Sequence, residues 1–546
     1  MDHNNTTPLK RFWALFTQSK KDLRDVYLYA MLNGLVQLSF PIGIQALLNF
    51  VLGGRMVSSL YLLIVCIDLG VSFSGIFQLK QMKIIERIQQ VIFVDYAQAF
   101  AAFLPKIDLQ KNDGIYWPEK VNRMFEVVSL QKSISKLFLE IPIAIIQIVF
   151  GLILVSIYHP AFIVFGILLL LVVVLMIRLT FANGLYTNTK ESTYKYEVIA
   201  WFEEMARVIK SFKYSNGTNL NFQKTDANVT NYLKARTAHF RVLLVQYRAL
   251  VVFKVLIISG LLIIGTLLML NNKMNIGAFV AAEIAIVAVI AAIEKLMSSL
   301  ESVYDAFTSL EKIDYVLESS VEKTGTFLFS NTGHGTSLQL KEVSFSYNEV
   351  DKPVLKNLSI DIPSGARTAI IGEDGAGKTS LLKLLTGSYQ NFEGTILING
   401  LPLRNYNLDS YRNKLGIFLN NMDVFNGTLR ENITLGRVDI SSEEILSLIK
   451  GLGFDHFLDQ FDAGFDTYLE PLGKRWSSTT IRQIMLLRAF CVKGELLLME
   501  EPWQGMDDKF KNNIIRYICE NLKNTTVIIV SNDGKFLANC QTIIHL

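Results

Sequence analysis

The residues best placed to do chemistry lie in one short run. Thr368–Leu385 reads TAIIGEDGAGKTSLLKLL: a β-branched strand, a glycine-rich loop and a helical stretch. The loop fits Gly372-x-x-x-x-Gly377-Lys378-Thr379, the P-loop spacing. Glycines at such positions (Gly372, Gly375, Gly377) let backbone N–H groups curl around phosphate oxygens. The helix that starts at Lys378–Ser380 adds the positive end of its dipole. Lys378 would reach the β- and γ-phosphates of ATP, and the Thr379 hydroxyl would ligate Mg2+. A glycine-rich loop alone is a weak signal and can be a chance turn. The complete pattern, set between a strand and a helix, is specific.

A second acidic element follows downstream. Glu495–Glu501 reads ELLLMEE, an apolar strand that ends in carboxylates. In P-loop proteins the first acid after such a strand holds Mg2+, and a following acid can activate water. These positions fall on Glu500 and Glu501. The first is ordinarily Asp, so Glu500 is a departure whose longer side chain could still bind the metal through water.

These elements need a scaffold. The chain has 546 residues, too many for one core. It is 51% hydrophobic and 19% charged, against about 25% charged for a soluble domain. The apolar excess lies before about residue 300, in runs near the roughly 20 residues that cross a bilayer. Six candidate spans result: Val26–Leu52, Val57–Leu79, Leu137–Tyr158, Ala161–Phe181, Ala249–Leu270 and Ile276–Leu296. Very short connections (GGRM, HP, NNKMN) join them in pairs, and residues 80–136 and 182–248 form long charged loops that read as helical hairpins beyond the bilayer. Lys10, Arg11, Lys20, Lys21 and Arg24 precede the first span, which places both termini and both long loops in the cytoplasm. The N-terminus lacks a signal-peptide pattern, so the first span is expected to stay as an anchor. Pro41 is expected to kink it.

Asp68, Glu140, Arg178, Lys254 and Glu283 fall inside the spans. Charge at that depth normally faces protein or a watery path. Two readings stand: a polar lining for a substrate pathway, or structural partners for Lys254 and neighbouring helix dipoles. Net charge is +4, too small to argue for nucleic acid. The four cysteines have no CxxC spacing and read as reduced thiols rather than disulfides or a zinc site. After residue 300 a helical rhythm continues to Leu317. A Ser/Thr/Gly-rich stretch, Glu318–Ser337, reads as a linker, and from Leu338 strands alternate with helices. The expected organisation is a cytoplasmic segment 1–25, a membrane domain 26–317, a linker 318–337 and an α/β domain 338–546.

With the order of parts in view, residues 338–546 resemble an ATP-binding cassette of the ABC transporter superfamily. KEVSFSYN resembles the segment whose aromatic stacks on adenine, here Tyr347, although a strand aromatic is common in any case. FNGTLRENITLG resembles the stretch after the glutamine loop, and Asp507 in EEPWQGMD takes the place of a residue that contacts the partner cassette. The whole chain resembles half-transporters of the bacterial type I secretion kind without an N-terminal peptidase domain, through Tyr116–Leu137, Tyr196–Leu220 and Asn275–Leu296. The fold class implied is multidomain: an all-α six-helix transmembrane domain of the exporter type, then an α/β P-loop NTPase domain. In the family the long loops end in short coupling helices that dock on the cassettes.

Three positions depart from the family pattern. Its LSGGQ signature, which meets the γ-phosphate held by the opposite cassette, is Trp476-Ser477-Ser478-Thr479-Thr480 here. Both glycines are replaced, so side chains crowd the approach; Ser477 remains as a hydroxyl donor. The glutamine that senses Mg2+ and water is Asn420, one methylene shorter. The histidine near the end is Asn532, which hydrogen-bonds but cannot take a proton or carry charge. The resemblance implies a half-transporter that pairs with a second copy or a different half and couples ATP binding and hydrolysis to export of a peptide, protein or amphipathic small molecule across the cytoplasmic membrane of a bacterium. A membrane-fusion adaptor is a further implied partner. One alternative is a catalytically impaired ATP-binding regulatory subunit beside a more regular half; another is a lipid or drug exporter of the same fold.

Overall fold

The computed structural model describes residues 12–13, 15–17, 19–37, 39–52, 59–215, 218–330, 332–347, 352–420 and 422–546. The chain divides into two units. The first holds residues up to 105 and 115–319; the second holds 106–114 and 320–546.

Among the described residues the first unit has six helices long and apolar enough to cross a membrane: Lys20–Val51, Leu60–Lys106, Trp117–Tyr158, Phe162–Arg207, Leu220–Leu270 and Ile276–Leu317. Each overlaps one of the apolar runs read from sequence, but five of the six are 42–51 residues long. At 1.5 Å per residue they exceed what a bilayer needs by a factor of about two. The long charged loops are therefore mainly continuations of the spans, with helices Ser59–Phe103 and Leu220–Leu270 running unbroken through the apolar-to-polar change. The GGRM turn lies outside the described residues. The NNKMN turn ends in Asn275, whose side chain accepts from the Ala278 N–H at 2.7 Å and caps the next helix. The kink expected at Pro41 falls beside residue 38, which lies outside the described residues.

Two apolar cores hold this unit. One packs Ala144, Ile148, Phe253, Ile257, Ala285 and Val289 from three helices; the other packs Phe16, Val26, Ile88, Leu130, Ile134 and Leu310. Large apolar side chains such as Leu62, Leu168, Val174 and Ile263 stand exposed along the spans, as expected of surfaces solvated by lipid. In the polar extensions a buried carboxylate supplies the cross-link. Glu126 accepts from Lys195 Nζ, Tyr196 OH and Ser309 Oγ, each at 2.8 Å, and so ties three helices together. Of the ionisable residues in the spans, Lys254 pairs with Glu294, and Glu140 accepts from Ser299 Oγ at 3.0 Å. Asp68, Arg178 and Glu283 are exposed on the helix surface.

The second unit is built on a parallel sheet. Its strands are β1 Leu338–Phe345, β2 Leu355–Ile362, β3 Arg367–Ile371, β4 Glu393–Ile398, β5 Leu401–Pro402, β6 Leu415–Phe418, β7 Gly427–Thr428, β8 Tyr468–Leu469, β9 Leu496–Glu500, β10 Thr526–Val530 and β11 Thr542–His545. The order β11-β3-β10-β9-β6 forms the parallel sheet, β2-β1-β4-β5 an antiparallel one, and β7-β8 a short pair. β9 and β10 are buried along their whole length, because apolar cores cover both faces: Leu497 and Met499 enter one, Leu496 and Leu498 the other.

Residues 318–337, expected to be a linker, are mostly exposed but are anchored at a few points. Phe329 is buried among Tyr406 and Tyr411, and Glu322 makes a two-pronged ion pair with Arg412 at 2.7 and 2.8 Å. The tip of the first long loop, residues 106–114, also folds into this unit. Ile107 bridges to Val321. The Gln110 carboxamide accepts from the backbone N–H groups of Gln390 and Asn391 at 2.9 and 2.8 Å and donates to the Asn391 carbonyl at 2.9 Å.

Candidate nucleotide site

Four strands of the parallel sheet end at one place. β3 runs into the P-loop, β9 into Glu500 and Glu501, β10 into Ser531 and Asn532, and β6 into Leu419 and Asn420. Residues separated by up to 185 positions thus meet outside the carboxyl ends of the strands, where open α/β sheets place ligands. They line a cleft of about 420 Å3 that contains Tyr347, Gly375, Gly377, Lys378, Thr379, Ser380, Asn420, Glu500, Glu501 and Asn532.

The P-loop forms because its sequence permits backbone that other residues resist. Gly377 sits at φ +94° as the residue before the helix Lys378–Leu385. A Cβ there would lie 2.8 Å from a Leu355 methyl and 2.9 Å from a Val354 methyl, so both conformation and space demand glycine. Lys378 Nζ donates to the Gly372 and Glu373 carbonyls at 2.7 and 2.9 Å and lies 3.8 Å from the Asp374 carboxylate. The Thr379 hydroxyl donates to Glu500. The other Glu500 oxygen accepts from the Asn420 backbone N–H at 3.2 Å. Tyr347 OH is 2.8 Å from Ser380 Oγ, and its ring stands edge-on to Phe345 and Tyr389.

Glu501 is half-buried beside this group. Burial pushes its carboxyl above the usual range; the Lys378 cation opposes that, and the neighbouring Glu500 adds to it. A carboxylate raised in this way is a better proton acceptor near neutral pH. Its backbone lies at φ +44°, in the left-handed region. Asn532 is exposed at the cleft edge.

Ser477 is not in the cleft. It caps the helix Ser478–Cys491, its Oγ accepting from the Thr480 N–H at 3.0 Å. Its proton is engaged as well. Thr480 Oγ1 donates to Gln460 Oε1 at 2.7 Å, so the 2.7 Å contact between the two hydroxyls must be donated by Ser477. In this chain the hydroxyl is engaged inside its own loop. Gly372 contributes its carbonyl to Lys378 rather than to the lining. The cleft also includes Val354, Asp374, Gln504 and Val530, which the sequence reading missed. Asp374 occupies a free position of the P-loop pattern, and Gln504 could have been found as a polar residue one turn beyond Glu501. Val354 and Val530 carry no chemical signal.

Residues 355–504 match the family model described as ABC transporter. Among curated relatives, the chain is 32% identical over 196 residues to the glutathione/L-cysteine transport system ATP-binding/permease protein CydC of Haemophilus influenzae, covering 36% of this chain and 34% of that protein. It is 28% identical over 211 residues to the mitochondrial iron-sulfur clusters transporter ATM1 of Saccharomyces cerevisiae, covering 38% and 30%. It is 26% identical over 272 residues to the ATP-dependent lipid A-core flippase of Hahella chejuensis, covering 50% and 46%. The matched segments thus span a third to a half of these relatives. A solved structure of a bacterial Atm1-family ABC exporter with ATP bound superposes with a TM-score of 0.88 over 96% of this chain and 93% of that one, at 19% identity. The six-helix membrane unit and the nucleotide-binding domain therefore have the fold of an ABC exporter half.

Proposed function

We propose that the chain is an ATP-hydrolysing half-transporter that dimerises and couples ATP binding and hydrolysis to export of a substrate from the cytoplasm. The observation that carries this reading is the cleft in which Lys378, the Thr379–Glu500 pair and Glu501 meet, on an exporter fold. In the mechanism, the P-loop backbone and Lys378 hold the β- and γ-phosphates, and the Tyr347 ring offers a face to the base. Glu501 takes the proton of the attacking water. The Thr379 hydroxyl, the Glu500 carboxylate and the Asn420 amide are hard oxygen donors of the kind Mg2+ accepts, and Mg2+ keeps several waters and phosphate ligands, so few side chains suffice. When bound it would neutralise charge on the phosphates. The loop tip 106–114 gives a physical route for coupling, since it joins two spans yet folds as part of the nucleotide unit.

Both termini and the long loops are assigned to the cytoplasmic side of a bacterial inner membrane, from the cations before the first span. The substrate class stays broad: peptide, protein or amphipathic small molecule. The relatives named above are described as moving thiols, iron-sulfur clusters and a lipid, so lipid or drug export is an equal reading, and a membrane-fusion adaptor belongs only to the secretion reading. A regulatory role beside a more regular half is favoured by one observation, the side-chain-lined start of the helix Ser478–Cys491. The test is ATP turnover of the full-length protein in nanodiscs, with Lys378→Ala and Glu501→Gln as controls and the subunit stoichiometry of the purified complex measured in parallel. Turnover that both variants abolish supports the pump. Equal, negligible turnover in all three sinks it.

A further inference from the structure

We propose that Arg482 is the positioning residue for Glu501, holding the water-activating carboxylate in place through its backbone carbonyl. This rests on the reading of Glu501 given above. Arg482 is half-buried in the second turn of the helix Ser478–Cys491. Its Nη1 donates to the Glu501 carbonyl at 2.7 Å, and its guanidinium lies 5.5 Å from the ring centroid of Phe418, at the end of the strand that leads to Asn420.

Glu501 needs such a hold. A residue with a Cβ is uncommon at positive φ, and strained backbone of this kind persists only when the surroundings over-determine it. Three hydrogen bonds fix Glu501. Its N–H donates to the Val530 carbonyl at 2.9 Å, and its carbonyl accepts from the Gln504 N–H at 3.1 Å and from Arg482. The first two are backbone bonds that most sequences would keep. Only the third depends on a side chain. That bond is charge-assisted and only partly solvated, which places it among the stronger kind.

Removing Arg482 therefore loosens the backbone at 501, which a residue that merely packs the helix would not do.

The experiment uses the full-length protein in nanodiscs, with Arg482→Met, Arg482→Lys and Glu501→Gln. Arg482→Met is expected to lower kcat by roughly tenfold to a hundredfold, the scale of a misplaced catalytic group, with ATP affinity within about twofold of wild type because no phosphate contact is lost. Arg482→Lys, which keeps a cation able to donate to the same carbonyl, restores part of the rate. Amide hydrogen exchange of the ATP-bound protein reads the backbone independently of turnover: the segment 499–507 exchanges faster in Arg482→Met. The proposal is overturned if Glu501→Gln is inactive while Arg482→Met keeps wild-type kcat and exchange. It is equally overturned if Arg482→Met loses ATP binding and thermal stability together, with exchange raised across the whole nucleotide unit rather than at 499–507. If Glu501→Gln instead retains turnover, the reading of Glu501 fails, and the exchange data alone decide whether Arg482 holds that backbone.

Discussion

Two helix starts in the nucleotide unit are built in opposite ways. At Lys378–Leu385 the chain enters through Gly375 and Gly377, both at positive φ, and a Cβ at Gly375 would meet open space. At Ser478–Cys491 the chain enters through Ser477, Ser478 and Thr479, and the cap hydroxyls satisfy one another and Gln460. Backbone N–H groups at either start can hold an anion. The first leaves them bare to a ligand, whereas the second surrounds them with side chains and closes its polar groups locally. The comparison separates two tasks that an exporter cassette ordinarily performs together. Holding its own nucleotide is written into the first start. Serving a nucleotide held by another chain would have to be done by the second, which is poorly shaped for it.

The largest expected effect breaks the first start. Lys378→Ala removes a cation and Glu501→Gln removes a base. Each should lower ATP turnover by about 10²-fold or more, the range of general-base and preorganised electrostatic contributions. Only Lys378→Ala should also weaken ATP binding, because Glu501 touches no phosphate in the proposed role. Turnover and nucleotide affinity measured side by side decide this. Equal loss of affinity in both variants would contradict the division of labour.

A smaller effect reopens the second start. Ser478→Gly with Thr479→Gly strips the side chains from the helix entrance. In an assembly of identical chains, turnover should rise by about tenfold, since one regained hydrogen bond to a charged group is worth about 1.5–3 kcal/mol, less the cost of two glycines near a helix end. In an assembly with a different half, whose own signature serves Lys378, the same change should leave turnover at this cleft unaltered. The substitution therefore reads out partner identity as well as loop chemistry. A fall in turnover in both assemblies would show that the hydroxyls are functional.

How far these features were legible in sequence follows from how locally they are encoded. The P-loop is contiguous, and glycine there is a backbone requirement, so eight residues declare it. The six spans were legible because lipid solvates their outer faces and leaves unbroken apolar runs. The cleft's other walls come from β6, β9 and β10, and nothing in Asn420 or Asn532 alone says that parallel strands will bring them together; the order of parts in a resembling family did. What stayed hidden depends on tertiary register. The contact of Arg482 with the Glu501 carbonyl and the Lys254–Glu294 pair join residues whose own surroundings show no special pattern. The Ser/Thr/Gly-rich composition of 318–337 suggested a linker, but Phe329 and Glu322 find partners that composition does not reveal.

The pH dependence sharpens the contrast further, with a smaller effect. Because burial raises the Glu501 carboxyl above the usual glutamate range, and because the base must be ionised to accept a proton, turnover should fall as pH drops through that raised value. It should be flat above it until another group titrates. The acid limb is thus expected at higher pH than about 4.3, the value of an unperturbed glutamate. Asn532 adds no limb of its own, since its amide does not titrate. Asn532→His should add a second inflection nearer pH 6.5, the ordinary value of a histidine. A kcat–pH profile with its limb at or below the ordinary glutamate value would show that Glu501 is not the base.

The smallest effect lies in the cap itself. Ser477→Ala removes the acceptor for the Thr480 N–H and the donor to Thr480 Oγ1. Loss of an N-cap costs typically about 1 kcal/mol, which for a domain of this size shifts Tm by roughly 2–4 °C. If the hydroxyl serves only the cap, the nucleotide unit should melt earlier while ATP turnover per folded molecule stays within about twofold of wild type. Ser477→Asp, which also caps well, should recover the stability. If Ser477 instead reaches a phosphate on an opposite chain, the aspartate would repel it and turnover would drop although Tm recovers. Thermal melting and turnover of the two variants together thus assign the hydroxyl to its own helix or to a ligand across the interface. Recovery of both by Ser477→Asp leaves the second helix start as closed as the hydrogen bonds describe.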